Sequence, residues 1–167
     1  MNIKIRHERL EDIPAIRHVN RRAFGQDQEA DLVDALRANG AVSLSLVASL
    51  DEEVVGHIMY SPLEIGEVAG AGLGPVAVHP DHQHKGIGSR LIEAGNLLLK
   101  DAGCPFVVVI GHAGYYPRFG FRPARPLGIQ CQWDVPDNVF LLLALHPERM
   151  QGVSGLAKYR GEFSKVS

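Results

Sequence analysis

The sequence predicts a mixed α/β domain, a central sheet covered by helices, and two observations carry that expectation. Phe106-Val-Val-Val-Ile110 is a continuous apolar run bounded by Pro105 and Gly111, the pattern of a strand buried on both faces. Before it runs Gly86–Ala102, a helix-length stretch that spaces Ile87, Leu91, Ala94 and Leu98 onto one inward face, and before that an apolar segment ends at Val78. Together they place a strand–helix–strand crossover at the centre of a mixed sheet. The 167 residues are 46% hydrophobic and 22% charged, which suits one globular domain over residues 1–167 and argues against disorder.

The remaining elements follow in order. Ile3–His7 alternates apolar and polar, a short strand. Glu11–Phe24 carries Ile13, Ile16, Val19 and Phe24 at helical spacing, with Pro14 tolerated in the first turn. Gln28–Asn39 is a second amphipathic helix with Leu32, Val33 and Leu36 on one face and Asn39-Gly40 as its stop. Leu44–Leu50 and Val54–Ile65 read as an antiparallel hairpin across Asp51-Glu52-Glu53. Leu73–Val78 is a buried strand interrupted by Pro75, which donates no ladder hydrogen bond and so asks for a bulge or an edge. Tyr115–Phe119 has room for a single helical turn, Asn138–Leu145 is a further apolar strand, and the tail from Met150 fits no one pattern.

Charge and composition exclude several partners. Lys and Arg number 17 against 19 Asp and Glu, a net charge of −2 with no basic stripe for a nucleic-acid backbone. No apolar run approaches the ~18 residues a membrane span needs. The opening Met-Asn-Ile-Lys-Ile-Arg is broken by charges, unlike a secretory signal, so a cytoplasmic location is expected. Cys104 and Cys131 have neither metal-ligand spacing nor the number for a disulfide framework; each reads as a packing residue.

Chemistry concentrates in Leu73-Gly-Pro-Val-Ala-Val-His-Pro-Asp-His-Gln-His-Lys-Gly-Ile-Gly-Ser-Arg90, where a strand ends, a loop turns and a helix opens. Gly86 and Gly88 remove two Cβ atoms where a first helical turn presents amides without intrahelical partners, and the helix dipole puts roughly +0.5 charge there. Lys85 and Arg90 add positive charge, so a diphosphate suits the site. A Walker loop is excluded, because Gly-Lys-Ser/Thr is missing at the required spacing. A dinucleotide fingerprint is excluded by the missing third glycine and ribose-binding acid. On the loop alone, a turn shaped only for tight strand–helix packing competes evenly with anion binding.

Its context resembles the GNAT superfamily of acetyl-CoA-dependent N-acetyltransferases. The superfamily signature, (Gln/Arg)-x-x-Gly-x-(Gly/Ala), stands here as Gln83-His84-Lys85-Gly86-Ile87-Gly88. Gly74-Pro-Val-Ala-Val-His-Pro80 looks like the family's fourth strand and Phe106–Gly111 like its fifth, and Tyr115-Tyr-Pro-Arg-Phe-Gly-Phe121 is similar to its Tyr-x-x-x-Gly-Phe ending. Glu29-Ala-Asp-Leu-Val-Asp-Ala-Leu-Arg37 also looks like a segment of one small bacterial branch of predicted acetyltransferases. The likeness covers nearly the whole chain and implies the GNAT fold, a mixed sheet splayed between its fourth and fifth strands and flanked by helices.

The resemblance also implies roles. Backbone groups of Val76, Ala77 and Val78 would pair with pantetheine, their side chains remaining core, while Pro75 helps splay the strand. Gln83, His84, Lys85, Gly86, Ile87, Gly88 and Ser89 would form the pyrophosphate loop with Arg90 beside it. Tyr116 would protonate the departing CoA thiolate; Tyr115 next to it competes for that position, and Arg118, Phe119 and Phe121 fix and pack the turn. Acetyl-CoA is the implied co-substrate, and the acceptor is an amine of a small molecule or peptide. A base is needed because an amine attacks only when neutral, and the candidates are His112, His57, Glu29, Glu64 or water; Glu29 is also placed to pair with a helix dipole. His79, Asp81, His82 and His84 suggest a metal site, but four ligands on one proline-containing turn converge poorly, so no metal is expected. A non-catalytic acyl-CoA-binding module on the same fold is the alternative, an acyl chain other than acetyl is a variant of the same mechanism, and the oligomeric state, a homodimer included, stays open.

Overall fold

Two units, interleaved along the chain, are built by residues 2–165, which the computed structural model describes. One unit is made from the residues up to Ser61, from Gly74–Gly95 and from Gly161 onward; the other from Pro62–Leu73 and Asn96–Arg160.

The first unit contains strands β1 (Ile3–His7), β2 (Leu44–Leu50), β3 (Glu53–Ile65, contributing as far as Ser61) and β4 (Val68–Val78, contributing from Gly74), in the order β1-β2-β3-β4; β2 and β3 are buried almost without a break, and burial alternates along the end of β4. β1 pairs antiparallel with β2, from Ile3 opposite Leu50 to His7 opposite Leu46, and β2 pairs antiparallel with β3. The predicted hairpin turn is shorter than expected. Only Asp51 (φ 50°) and Glu52 (φ 69°) form it, both left-handed as a two-residue type I′ connection requires, although neither is glycine.

Helix α1 (Ile13–Phe24) starts two residues later than the periodicity indicated, because Leu10–Asp12 forms a tighter 3-10 turn ahead of Pro14. Ile16 and Val19 are buried as expected, but Phe24 is 39% exposed. It occupies the last helical position, where Gly25 (φ 68°) turns the chain and returns its N–H to the Arg21 carbonyl. Helix α2 (Gln28–Ala38) buries Leu32, Val33 and Leu36 with Ile16 of α1 against Val47 and Met59 of the strands, and Phe163 packs onto the same cluster. Helix α3 (Ile87–Asp101) lays Ile87 and Leu91 on Gly56, where an added Cβ would sit 3.1 Å from Ile87 and 3.2 Å from Leu91.

The second unit takes the ends of β3 and α3, the first half of β4, and strands β5 (Phe106–Ile110), β6 (Arg122–Pro123), β7 (Ile129–Gln130), β8 (Phe140–Ala144) and β9 (Gly155–Lys158). β5 is flanked on both sides, parallel to β4 at Ala71 and Gly72 and antiparallel to β8 along its whole length. That double pairing explains its unbroken apolar sequence; Phe106, Val107 and Val108 are fully buried. Gly70 makes room for the Phe106 ring, whose carbons would lie 2.5 Å from a Cβ there. The parallel pairing lies N-terminal to Pro75, so the proline sits beyond the residues that need a donor; the Gly74–Pro75 peptide is cis.

One expectation is corrected here, and one stretch left open by the sequence is filled. On α3, Leu98 is 39% exposed and Leu99 is the buried neighbour: the inward stripe runs through Ile92, Asn96 and Leu99 rather than through Leu98. The tail from Met150 contains β9, which pairs with Glu64 and Ile65 at the end of β3 and with β7.

Candidate active site

Strand β4 ends with Ala77 buried and Val76 and Val78 half-buried on the opposite face, as a pleated strand dictates. His79 returns its N–H to the Val55 carbonyl of β3 at 2.9 Å, and a 3-10 turn over Pro80–His82 follows. The Gln83 side chain bends back, donating from Nε2 to the Val78 carbonyl at 3.0 Å, so this residue ties the loop to the end of the strand. Backbone φ then alternates in sign, −72° at Gln83, +64° at His84 and +80° at Gly86. Alternation of this kind turns successive N–H groups toward one side and forms an anion-binding concavity. His84 is the unusual member, a non-glycine residue in left-handed conformation.

Arg90 donates its N–H to the Gly86 carbonyl at 3.1 Å, the first bond of the helical ladder. The amides of Ile87 and Gly88 precede that bond and belong to the outward-facing first turn. No heavy atom lies within 4 Å of a Cβ built on Gly86, so the space in front of the turn is open. His84, Lys85 and Arg90 are exposed, Gly88 and Ser89 half-buried, and Ile87 buried. The Ile87 side chain is therefore core, and only its backbone faces the loop.

The predicted tyrosines stand in the second unit. Tyr116 opens a four-residue 3-10 turn, Tyr116–Phe119, closed by Gly120 at φ 95°. The N–H groups of Tyr115 and Tyr116 both donate to the His112 carbonyl, at 3.1 and 3.2 Å. The Tyr116 ring meets Tyr115 edge-on at 5.2 Å and Phe121 at 5.7 Å, and it fills the space a Cβ on Gly111 would need. Burial, with Tyr115 adding to it, pushes the Tyr116 hydroxyl up to about 12, so it holds its proton at neutral pH.

The four candidate bases separate. His112 is exposed at the end of β5, and Glu64 is exposed opposite Lys158. Glu29 is half-buried in the first turn of α2 and accepts from Gln26 Nε2 at 3.0 Å, the dipole-pairing arrangement its sequence position suggested. His57 is withdrawn from the set because it is fully buried and both ring nitrogens are engaged. Asn20 Nδ2 donates to the Ile16 carbonyl and to His57 Nδ1, which leaves the ring hydrogen on Nε2. From Nε2 the chain of donors runs on to Ser45 Oγ at 2.9 Å, then to Glu8 at 2.7 Å, whose carboxylate also accepts from Arg37. Burial drives the His57 imidazole down to about 3. Polar Ser45 between Leu44 and Leu46, and His57 ahead of Ile58-Met59-Tyr60, were the sequence signal for this network.

The histidine-rich turn holds His79 with rings of His18 and His82 at 5.8 and 6.0 Å, and the His79 Nδ1 accepts from the Asp81 N–H. Among the described residues no group of three or more His, Cys, Asp or Glu is arranged to hold a metal ion, and no helix is long and apolar enough to cross a membrane. A cavity of about 520 Å³ lies at the C-terminal end of α1, lined by His18, Arg21 and Arg22 of the helix and by Gly25, Gln26 and Asp27 of the link that follows, with Arg21 paired to Asp27 at 2.7 Å. Cys104 donates to the Phe106 carbonyl, and Trp133, two residues past Cys131, packs on Tyr159 at 5.1 Å, so both cysteine segments serve packing.

The acetyltransferase (GNAT) domain family matches residues 42–123, a span that takes in the end of β4, the glycine turn, the parallel β4–β5 pair and the tyrosine turn after β5. The chain belongs to the GNAT acetyltransferase family, whose members use acetyl-CoA as co-substrate. It is 35% identical over 157 residues to the uncharacterized N-acetyltransferase YhbS of Escherichia coli K12, covering 92% of this chain and 94% of that protein. It is 41% identical over 134 residues to YjhQ of the same organism, 76% of this chain and 74% of that one. The crystal structure of E. coli YhbS in complex with CoA superposes with a TM-score of 0.96 at 32% identity, over 100% of this chain and 94% of that chain. A GNAT acetyltransferase from Brucella melitensis in complex with acetyl-CoA gives 0.82 at 38% identity, over 97% and 98%.

Proposed function

We propose that residues 1–167 act as one N-acetyltransferase domain that moves acetyl from acetyl-CoA to an amine by direct attack. The observation that carries this reading is the turn from Gln83 to Gly88, with its alternating φ, open front at Gly86 and helix start behind it. A diphosphate fits such a turn in charge and shape, and the CoA and acetyl-CoA complexes of the two structural relatives support it. On this reading the backbone of Val76, Ala77 and Val78 pairs with pantetheine, Gln83 holds the loop in register, and His84 through Arg90 embrace the diphosphate.

Tyr116 then acts on the leaving sulfur. A CoA-like thiol near pKa ~8.5 and a phenol at about 12 differ by about 3.5 units, so complete proton transfer would run uphill by roughly 5 kcal/mol. Burial thus makes Tyr116 a hydrogen-bond donor to the developing thiolate more than a free proton source. The attacking amine must lose its own proton: for a lysine-like group at ~10.4 this costs about 4.6 kcal/mol at pH 7, for an α-amine near ~8 about 1.4 kcal/mol. His112, exposed just past β5, or water takes that proton.

The test is CoA-thiol release from acetyl-CoA with a panel of small-molecule and peptide amines, alongside thermal shifts with desulfo-CoA, ATP and NADH. Amine-dependent release, and protection by desulfo-CoA well above that by ATP or NADH, is expected; a ligand at ~100 times its Kd adds about 2.7 kcal/mol. Protection without release under any amine would identify a binding module, and equal protection by ATP would refute pantetheine recognition.

A further inference from the structure

The Tyr116 ring packs on Tyr115, Phe119 and Phe121, but the backbone that carries it is a short turn. Gly111 and Gly114 precede it, Gly120 closes the turn, and one 3-10 turn of four residues has too few internal bonds to hold its own shape. Yet a donor to a leaving group works only if its oxygen is held closely; a misplacement of ~1 Å is worth about a hundredfold in rate. The ring contacts and the two bonds to the His112 carbonyl hold one side of the turn, and the peptides just ahead of Tyr116 need a hold of their own.

Arg118 is shaped to do so. Its Nε donates to the Tyr115 carbonyl at 3.0 Å and its NH2 to the Gly114 carbonyl at 3.4 Å, so one planar fork grips the two peptides that lead into Tyr116. The same guanidinium lies 4.7 Å from the centre of the Tyr115 ring, over its face, which fixes that ring as well as its backbone. The Tyr115 ring meets Tyr116 edge-on at 5.2 Å. On the opposite side the missing side chain of Gly111 admits the Tyr116 ring. Arg118 itself is exposed, so its contacts serve the turn and not the core.

We infer that Arg118 is a positioning residue for the Tyr116 hydroxyl, acting through the Tyr115 ring and the Gly114–Tyr115 backbone; this rests on the role of Tyr116 proposed above. Lysine is no equal substitute, because one ammonium cannot make the fork and cover the ring together.

The experiment is a double-mutant cycle on the full chain, read as kcat and as KM for acetyl-CoA, with acetyl-CoA hydrolysis as the reaction where no acceptor is in hand. Arg118→Gln is expected to lower kcat about tenfold with KM for acetyl-CoA unchanged, and Arg118→Lys to fall between it and wild type. Tyr116→Phe should fall at least as far, and adding Arg118→Gln to it should lower kcat no further, since there is then no hydroxyl to place. Gly111→Ala, which displaces the same ring from the other side, should behave like Arg118→Gln. Melting curves confirm that each variant is folded. An equal loss from Arg118→Gln with and without the Tyr116 hydroxyl would mean the arginine only stabilises the turn, and wild-type kcat in Arg118→Gln would overturn the inference alone. Wild-type kcat in Tyr116→Phe would overturn both it and the reading of Tyr116.

Discussion

Acidification from pH 7 to pH 5 should destabilise this protein through a single buried ring. His57 is neutral in the fold, held down to about 3 by burial, whereas in the unfolded chain it titrates near ~6.5. The unfolded state therefore binds a proton that the folded state refuses, and stability is complete above pH 6.5 and lost progressively as the pH falls toward 3. At pH 5 the unfolded chain is 1.5 units below its own midpoint while the folded imidazole is still neutral, a loss of roughly 2 kcal/mol. Between pH 7 and pH 5 the depressed carboxylates contribute little to the change. Asp12 is lowered chiefly by its Arg6 bond; Glu8 is lowered because the Arg37 and Ser45 bonds outweigh its burial; both act below their ordinary ranges of 3.8 and 4.5. The assay is urea unfolding at pH 7 and pH 5 for wild type and His57→Gln, a change that keeps a polar side chain beside Ser45 and deletes the titration. Exposed histidines are common to both proteins and cancel in the difference. Wild type should lose roughly 2 kcal/mol more than the variant between the two pH values. Equal losses would refute the closed network, since they would mean that water reaches the ring and that it titrates alike in both states.

Gly86→Glu should abolish acetyl-CoA binding in calorimetry while the fold survives with a modestly lower Tm, because the carboxylate enters open space at φ 80° and repels a diphosphate. Tyr116→Phe should reduce kcat at or below the low end of the ~10²–10⁴ range of general acid catalysis, with KM for acetyl-CoA unmoved. Tyr115→Phe keeps its ring and should leave kcat near wild type; the reverse result would move the donor by one residue. Gly95→Ala should lower the Tm, since its Cβ would fall 2.5 Å from the buried Tyr60 ring and overpacking of ~1–3 kcal/mol exceeds the ~1 kcal/mol gained in helix propensity. A higher Tm would show that α3 can slide away from β3.

The strands and helices legible in the sequence were those with an unmistakable apolar pattern, a continuous run for β5 and a helical stripe for α2. β5 and α2 had their boundaries marked by Pro105, Gly111, Asn39 and Gly40, and they appear almost where the pattern put them. α3 was misphased at its far end because Leu97, Leu98 and Leu99 are consecutive, and three adjacent leucines cannot reveal which one faces in. β6, β7 and β9 escaped because strands of two to four residues are too short for any periodicity. At the candidate site the glycines and Gln83 were legible as a motif. That Arg118 fixes the tyrosine turn was expected, but the carbonyls and the ring it holds were not legible, since they depend on a side chain folding back three and four residues. Nor did spacing reveal that His57 is a core residue; its partners Asn20 and Ser45 come from α1 and β2, and Glu8 behind Ser45 comes from the link after β1.

The interleaving of the two units bears on how the protein is made. The chain leaves the first unit at Pro62, returns at Gly74, leaves again at Asn96 and comes back only at Gly161. Phe163 then joins the apolar cluster around Ile16 and Leu36, and Asn39 Nδ2 donates to Glu162 at 2.8 Å. A nascent chain therefore carries the first unit, with a face of that cluster still uncovered, throughout translation of residues 96–160. At ~5–20 residues per second that interval is several seconds. A stall or truncation ahead of residue 163 would leave the Ile16–Leu36 cluster without its last apolar partner.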